Sequence, residues 1–403
     1  LALLRQVDQE FADETNIGVR RLILTQFRNH ARFELENIGK ISVLFGPNGA
    51  GKTNILEAIS LLNSGRGIRS AEIGELSRMG EDGGAFAVSA LLGDGIDERK
   101  IGLGLDINAP SPRKIARLNG KDVSAKALSD SLRIIWLTPQ MDRIFASPQS
   151  ERRKFLDRLV LSFYPEVQGA FSDYEKLIRE RQKVLENANP DNIWLNAIEE
   201  QISSHAIAIA NARVEAIGAL QTEINNRIQS PFPKAQLLLD GFAENAILEG
   251  VDLKKLEIEI AKNFKDYRTR DQAVGRSLFG THKTSFAARH LGNNMMAEKC
   301  STGEQKALII GLIIAQAKLV SQGLQSGVEG YFNRPNPVIL LDEAFAHLDD
   351  ERRQALSGEL ANLRAQSWLT GTDKELFSSL KNKANFYAIS PNCAQITNHN
   401  LEQ

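Results

Sequence analysis

The chain holds 403 residues, 42% of them hydrophobic and 25% charged, with 49 lysines and arginines against 50 aspartates and glutamates and a formal net charge of −1. Such a composition is that of a globular protein, and the length exceeds one ordinary core, so two lobes or more are expected. Balanced charge excludes a globally basic nucleic-acid surface and leaves only local patches for that role. No apolar run approaches the length of a membrane span, since the stretch over 307–315 breaks at Gln316.

Residues 1–17 begin Leu1-Ala2-Leu3-Leu4 but turn acidic at Asp8, Glu10, Asp13 and Glu14, unlike a secretory signal, and are expected to be a disordered tail. Strands are predicted over 21–27, 32–38 and 41–45, the last an apolar run of Ile41-Ser42-Val43-Leu44-Phe45. The chain then reads Gly46-Pro47-Asn48-Gly49-Ala50-Gly51-Lys52-Thr53, the phosphate-binding loop G-x-x-x-x-G-K-[ST], and continues as a helix with Ile55, Leu56, Ile59 and Leu62 on one face. Strand, glycine turn and helix are what that chemistry needs. Backbone N–H groups wrap ATP phosphates at a helix N-terminus, Lys52 reaches the β- and γ-phosphates, and the Thr53 hydroxyl sits on Mg²⁺.

Strands over 86–92 and 100–105 flank a hairpin signal at Gly93-Asp94-Gly95, and those over 113–123 turn at Asn119-Gly120, a pair suited to type I′ geometry. A strand over 133–138 stops at Pro139. Composition then turns helical. Ser147-Pro148 reads as an N-cap and first-turn proline, before a helix that buries Phe155, Leu156, Leu159, Val160 and Phe163 and leaves Arg152, Arg153 and Arg158 on another face. Helices follow over 166–187, 193–229 and 252–265, with strands over 231–239 and 277–279. Basic patches stand at Arg66/Arg69, Arg152-Arg153-Lys154 with Arg158, Arg179/Arg181/Lys183 and Lys262/Lys265/Arg268/Arg270; taken singly, each is more often a solvated helix face.

In Cys300-Ser301-Thr302-Gly303-Glu304-Gln305-Lys306, Ser301 is the expected cap of an apolar helix, with Glu304 completing a capping box. Cys300 and Cys393 stand alone without metal-ligand spacing, which points to a reducing cytoplasm. Pro337-Val338-Ile339-Leu340-Leu341-Asp342-Glu343 is a buried strand ending in two carboxylates, which strand alternation points to different sides, Asp342 toward the Mg²⁺ shell and Glu343 toward the attacking water. A last core strand is predicted over 367–370.

S-x-G-E-Q followed by L-L-D-E resembles the signature motif and Walker B of the ABC-type ATPases, and Ala346-His347-Leu348-Asp349 resembles their D-loop. Phe27-Arg28-Asn29-His30 is similar to the F-R-N-aromatic element of the SMC-like branch, where Arg28 and Asn29 would approach the nucleotide. The stretch from Lys52 to Ser301 is too short for the heptad-patterned arms of SMC proteins. A head with a short helical insertion, together with Ser147-Pro148 and Arg152-Arg153-Lys154-Phe155-Leu156-Asp157, resembles the RecF family of bacterial recombination mediators over nearly the whole chain. Three departures stand out. Gly280-Thr281-His282-Lys283-Thr284-Ser285 stands where that family has G-P-H-R-D-D. Thr370-Gly371-Thr372 stands where many ABC-type ATPases carry a switch histidine, as it does in proteins of the resembled family. Gln140 is the Q-loop and metal-shell candidate where relatives often carry a carboxylate, although a surface turn explains it nearly as well.

The expected fold class is therefore α/β, an ABC-type ATPase head with a β-rich ATP-binding lobe and a mainly helical second lobe inserted between Walker A and the signature. Its boundaries are lobe I over 18–145, lobe II over 146–300, and a return to lobe I over 301–403. The resemblance implies an ATP-driven head-to-tail homodimer in which Ser301, Gly303, Glu304 and Gln305 act in trans, with Asp349 in the D-loop. It also implies a slow, DNA-stimulated ATPase in the cytoplasm at the nucleoid, clamped on duplex DNA at single-strand/double-strand junctions, with Arg152, Arg153 and Arg158 as candidate contacts that salt bridges within the lobe would explain about as well. RecR and RecO are its implied partners and RecA loading, gap repair and the SOS response its implied role, with no membrane involved. Two other readings are weighed: an ATPase subunit coupled to a membrane partner, and a non-hydrolysing ATP-binding scaffold.

Overall fold

The computed structural model describes residues 18–63, 65–78, 84–93, 98–106, 113–124, 127–128, 131–187, 189–227, 230–322 and 336–390. The tail over 1–17, the hairpin tip Asp94-Gly95 and Cys393 lie outside the described residues. In chain order, the first elements are β1 (Gly18–Phe27), β2 (His30–Glu36), β3 (Ile41–Phe45), α1 (Lys52–Leu61), β4 (Ala87–Gly93), β5 (Glu98–Asp106), β6 (Arg113–Leu118), β7 (Lys121–Asp122) and β8 (Arg133–Leu137). Then come α2 (Gln149–Phe163), α3 (Gln168–Leu185), α4 (Asn192–Asn226), β9 (Ala235–Asp240), α5 (Phe242–Leu248), α6 (Leu253–Val274), β10 (Ser285–His290), β11 (Met295–Met296) and α7 (Thr302–Gln322). The last are β12 (Pro337–Leu341), α8 (Asp350–Asn362), β13 (Gln366–Gly371) and β14 (Asn385–Ala388).

The chain divides into two compact units, one from Leu1–Met141, Ser230–Phe232 and Ile313–Gln403, the other from Asp142–Gln229 and Pro233–Leu312. Among the described residues the first unit holds an antiparallel sheet ordered β2-β1-β4-β5-β6-β7 and a parallel one ordered β14-β3-β13-β12-β8. In the parallel sheet β3, β8 and β12 are near-continuous apolar runs, as both faces are covered, and β12 and the more polar β13 are buried along their whole length. β1 instead alternates buried and open positions, the pattern of a sheet with one covered face. One apolar cluster joins Leu22 and Leu24 of β1, Ile55, Leu56 and Ile59 of α1, and Leu44, Leu340 and Trp368 of the parallel sheet. α1 is thereby buried over most of its surface, Lys52, Glu57 and Ser60 included. The Asn119-Gly120 turn has φ of 49° and 81°, the two left-handed residues that type I′ requires.

The second unit packs α3, α4 and α6 around Tyr174, Leu177, Ile198, Ile202, Ile209, Leu256, Ile260 and Phe264. Asp191 caps α4 by accepting from the N–H groups of Ile193 and Trp194, Asp252 caps α6, and Gly275 ends α6 at φ 72°. Several local readings shift. α2 begins at Gln149 with Pro148, not Ser147, at the cap, because the Ser147 hydroxyl turns back to the Arg143 carbonyl at 3.3 Å. The strand read over 231–239 starts at Ala235, and α6 runs beyond residue 265 to Val274. No strand forms over 277–279. Asp271 holds that segment instead, accepting from Leu278 N at 2.8 Å, while the Ser277 hydroxyl donates to Phe279 O at 3.1 Å, and the strand is β10.

Two arginines read from sequence as surface bases sit inside this unit. Arg181 donates to Glu199 at 2.8 Å, Asp271 at 2.6 Å and the Phe264 carbonyl at 2.7 Å. Arg268 adds a second guanidinium to Glu199. Arg213, from the middle of α4, likewise binds Asp157, Glu244 and the Thr281 carbonyl. Buried acids on other elements draw these guanidiniums inward, which the run of basic residues alone does not reveal.

Candidate nucleotide-binding site

β3 ends at Phe45 and the chain turns through Gly46, Pro47, Asn48, Gly49, Ala50 and Gly51 into α1. Gly46 has φ 146°, and a Cβ there would come within 2.1 Å of the Ile389 carbonyl oxygen. Gly51 has φ 99°, and a Cβ there would meet His30 Nε2 at 2.5 Å. Only glycine fits either place. Gly51 is also the N-cap of α1 and offers no side chain to the first-turn N–H groups, which keeps them available for an anion. Lys52 curls into the loop, its Nζ donating to the carbonyls of Gly46 at 2.7 Å and Pro47 at 2.9 Å. Burial lowers its pKa from the usual lysine value, against the pull of Glu343, Asp342 and Asp373.

The carboxylates after β12 come to the same sheet edge. Asp342 N extends the ladder by donating to Leu137 O at 2.9 Å. The Asp342 carboxylate accepts from Thr53 Oγ1 at 3.0 and 3.1 Å and from Thr370 Oγ1 at 2.6 Å. Glu343 lies at φ 51°, and its N–H donates to Thr370 Oγ1 at 3.0 Å. The strand stops at Leu341, so a left-handed turn and not the pleat separates the two carboxylates. Gln140 is exposed in the turn Pro139–Met141 just past β8, at the end of the strand paired with β12. Asp349 caps α8, accepting from Arg352 N at 2.8 Å, and His347 before it is left-handed at φ 63°.

Arg28 occupies a left-handed turn at φ 53° between β1 and β2. Its fork grips Glu57 through Nε at 2.9 Å and Nη2 at 2.6 Å, while Nη1 donates to Glu75 O at 2.6 Å. All of its nitrogens thus bind the protein. Arg69 donates to the same carboxylate at 3.1 Å and to Asn54 at 2.7 Å, and Asn54 in turn donates to Asn29 at 2.6 Å. The Asn29 amide lies against Gly51, where a Cβ would meet its Nδ2 at 2.6 Å. Sequence reasoning passed over Glu57, whose signal is a carboxylate on the buried side of an apolar helix.

Ser301, Gly303, Glu304 and Gln305 belong to the second unit, at the start of α7. The capping box forms: Ser301 N–H and Oγ both donate to Glu304 at 2.9 Å, and Glu304 N–H donates back to Ser301 Oγ at 3.3 Å. Ser301, Thr302 and Gly303 are exposed, whereas Gln305 is buried with its amide on Cys300 O at 2.9 Å. The three arginines of α2 do not share one open face. Arg152 donates to Ser147 O at 2.9 Å, Arg153 to Thr284 O at 3.4 Å, and Arg158 lies over the Phe155 ring at 5.1 Å.

His282, in the altered 280–285 element, is held by Tyr174 Oη at Nδ1 (2.9 Å) and by Ser277 O at Nε2 (3.2 Å). A carbonyl only accepts, so Nε2 carries the proton and Nδ1 takes the tyrosine O–H. Burial pushes the His282 pKa down to about 4. Between that value and the ordinary histidine pKa near 6.5 the unfolded chain binds the extra proton, so stability rises with pH across this window and is lost on acidification. The loss expected by pH 4 is about 3 kcal/mol. Urea unfolding of His282→Gln should show a flatter slope than wild type between pH 6.5 and 4, and parallel slopes would refute this role.

Fold and site together define a P-loop ATPase head of the ABC type with an inserted, mainly helical unit. The family described as RecF/RecN/SMC N terminal domain matches residues 18–395. The chain belongs to the RecF family. It is 43% identical over 378 residues to the DNA replication and repair protein RecF of Rhizobium etli, covering 93% of this chain and 97% of that protein. Over 372 residues it is 43% identical to the protein of the same name from Caulobacter vibrioides, covering 90% and 94%. Its fold is similar to a solved structure of the recombination mediator protein RecF-ATPrS in the RecFOR pathway, with a TM-score of 0.80 at 20% identity, covering 96% of this chain and 99% of the other. A Pyrococcus furiosus Smc head domain with an extended coiled coil, bound to the C-terminal domain of ScpA, superimposes with a TM-score of 0.54 at 16% identity, covering 95% of this chain and 96% of that one.

Proposed function

We propose that this protein is an ATP-dependent DNA-binding recombination mediator, and that slow ATP hydrolysis releases it from DNA. The observation that carries the reading is the Thr53–Asp342 hydrogen bond at 3.0 Å, which brings the glycine loop and the acidic strand end to one point. A hydroxyl beside a carboxylate, next to a helix start that no side chain caps, fits a magnesium nucleotide, because Mg²⁺ takes one or two protein oxygens and completes its shell from phosphates and water. Thr53 and Asp342 would hold the Mg²⁺, with Gln140 beside them, and the bound ion would neutralise charge on the transferring phosphoryl group. Lys52 leaves the Gly46 and Pro47 carbonyls for the β- and γ-phosphates. Asn29 supports the loop at Gly51, and Arg28, its fork held by Glu57, approaches the nucleotide from the turn between β1 and β2. Glu343 orients the attacking water.

Ser301 and Gly303 of a second copy, with Glu304 and Gln305 shaping that helix start, close over the γ-phosphate, and Asp349 holds the D-loop beside it. ATP is then the link in a head-to-tail homodimer. Relatives named DNA replication and repair proteins, and a neighbour placed in the RecFOR pathway, support DNA as the partner, which this reading takes to be duplex at single-strand gaps. RecR and RecO would act with it to load RecA, at the nucleoid. The dimer holds DNA through phosphates and without base readout. With Arg152, Arg153, Arg158, Arg181 and Arg268 engaged inside the helical unit, the exposed bases Lys154, Arg179, Lys183, Lys262, Lys265 and Arg270 are the DNA contacts.

Fluorescence anisotropy of a gapped duplex, with ATP, with ADP and with neither, tests this. Tight binding is expected only with ATP and is lost in Lys52→Arg. Binding indifferent to nucleotide would overturn the reading.

A further inference from the structure

We infer that Thr370 is the positioning residue for hydrolysis in this chain, one hydroxyl holding the Asp342 carboxylate and the main chain of Glu343 after β12. The inference rests on the ATPase reading above. Thr370 lies near the end of β13, beside β12, and is 1% exposed. Its proton goes to Asp342 at 2.6 Å and its lone pair takes the Glu343 N–H at 3.0 Å. Asp342 is thus held from two sides, by Thr370 and by Thr53.

The same hydroxyl pins the start of a turn that bulky L-residues seldom adopt, since Glu343 stands at φ 51°. The direction in which the Glu343 side chain leaves the backbone is set by that turn, and the turn is tied to the sheet through Thr370. In the reaction, water oxygen bonds to the γ-phosphorus and the bond to the β,γ-bridging oxygen breaks with its electron pair remaining on ADP. Glu343 takes a proton from the water. Thr370 touches none of these atoms and acts only through its two neighbours.

Thr370→Val keeps shape and removes the hydroxyl, leaving the Glu343 N–H without its acceptor. A carboxylate displaced by about 1 Å lowers turnover by about 100-fold. Affinity for a fluorescent ATP analogue in EDTA is expected to stay at the wild-type value, while the gain in affinity on adding Mg²⁺ shrinks. Thr370→Ser, which retains the hydroxyl, recovers most of both. Thr370→Ala removes the hydroxyl without adding a methyl group and gives the same result should the valine variant fold poorly.

Wild-type turnover and Mg²⁺ response in both hydroxyl-free variants would overturn the inference. So would an equal loss of metal-free nucleotide binding and of melting temperature, which marks a merely structural residue. Failure of the ATPase reading looks different, because wild type itself would then release no phosphate and Glu343→Gln would change nothing.

Discussion

Replacing Arg181 by methionine is expected to lower the stability of the helical unit by about 3–5 kcal/mol, the usual cost of removing one partner from a buried ion pair. The guanidinium is 1% exposed and faces Glu199 at 2% and Asp271 at 0%. It also lies over the Phe264 ring at 5.2 Å, so packing is lost along with charge. Without it, Glu199 keeps Arg268, but Asp271 keeps the Leu278 N–H and only a long 3.5 Å approach of the Ser277 hydroxyl, whose proton has a nearer acceptor in Phe279 O. A buried carboxylate with neutral donors alone is costly. The control is Arg179→Met, two residues away on α3, where the arginine is 67% exposed and 3.8 Å from an exposed glutamate. That change should cost under about 0.5 kcal/mol. Urea unfolding followed by far-UV circular dichroism compares the two, and equal midpoints would sink the claim.

These same residues show what the sequence conceals. The glycine loop, the capping box at Ser301 and the type I′ turn at Asn119-Gly120 were legible because each is built by residues within a few positions of one another. Arg181 was not. Its partners lie 18 and 90 positions away, and nothing near it distinguishes a buried guanidinium from a solvated one. Glu57 was hidden for the same reason, since Arg28 is 29 positions distant and Arg69 a further loop away. The directions of Asp342 and Glu343 were argued from strand pleat, yet the divergence arises from a left-handed turn fixed by Thr370, 27 positions on. β10 and β14, which the sequence left unread, are short strands whose partners are elsewhere in the chain. The segment over 277–279 has strand-like composition but is drawn off by Asp271, a local competition that composition does not weigh.

Glu343→Gln is expected to reduce ATP turnover by about 10²–10⁴-fold, the range associated with loss of a general base. The swap preserves size and leaves the backbone N–H on Thr370, so the left-handed turn and the Asp342 geometry should persist. Nucleotide binding then survives while release fails, and the ATP-linked dimer accumulates. Lys52→Arg works on the other half of the cycle. Nζ sits between the Gly46 and Pro47 carbonyls at 2.7 and 2.9 Å as a compact point charge, which the larger planar fork of a guanidinium does not reproduce in the loop or on the phosphates. That variant should neither turn over ATP nor associate. Sedimentation with ATP, ADP and no nucleotide, run beside phosphate release, separates the two variants. Association of Lys52→Arg equal to wild type would break the link between nucleotide and dimer. Rapid dissociation of Glu343→Gln would instead place the releasing step somewhere other than hydrolysis, leaving the protein an ATP-binding scaffold whose second carboxylate is idle.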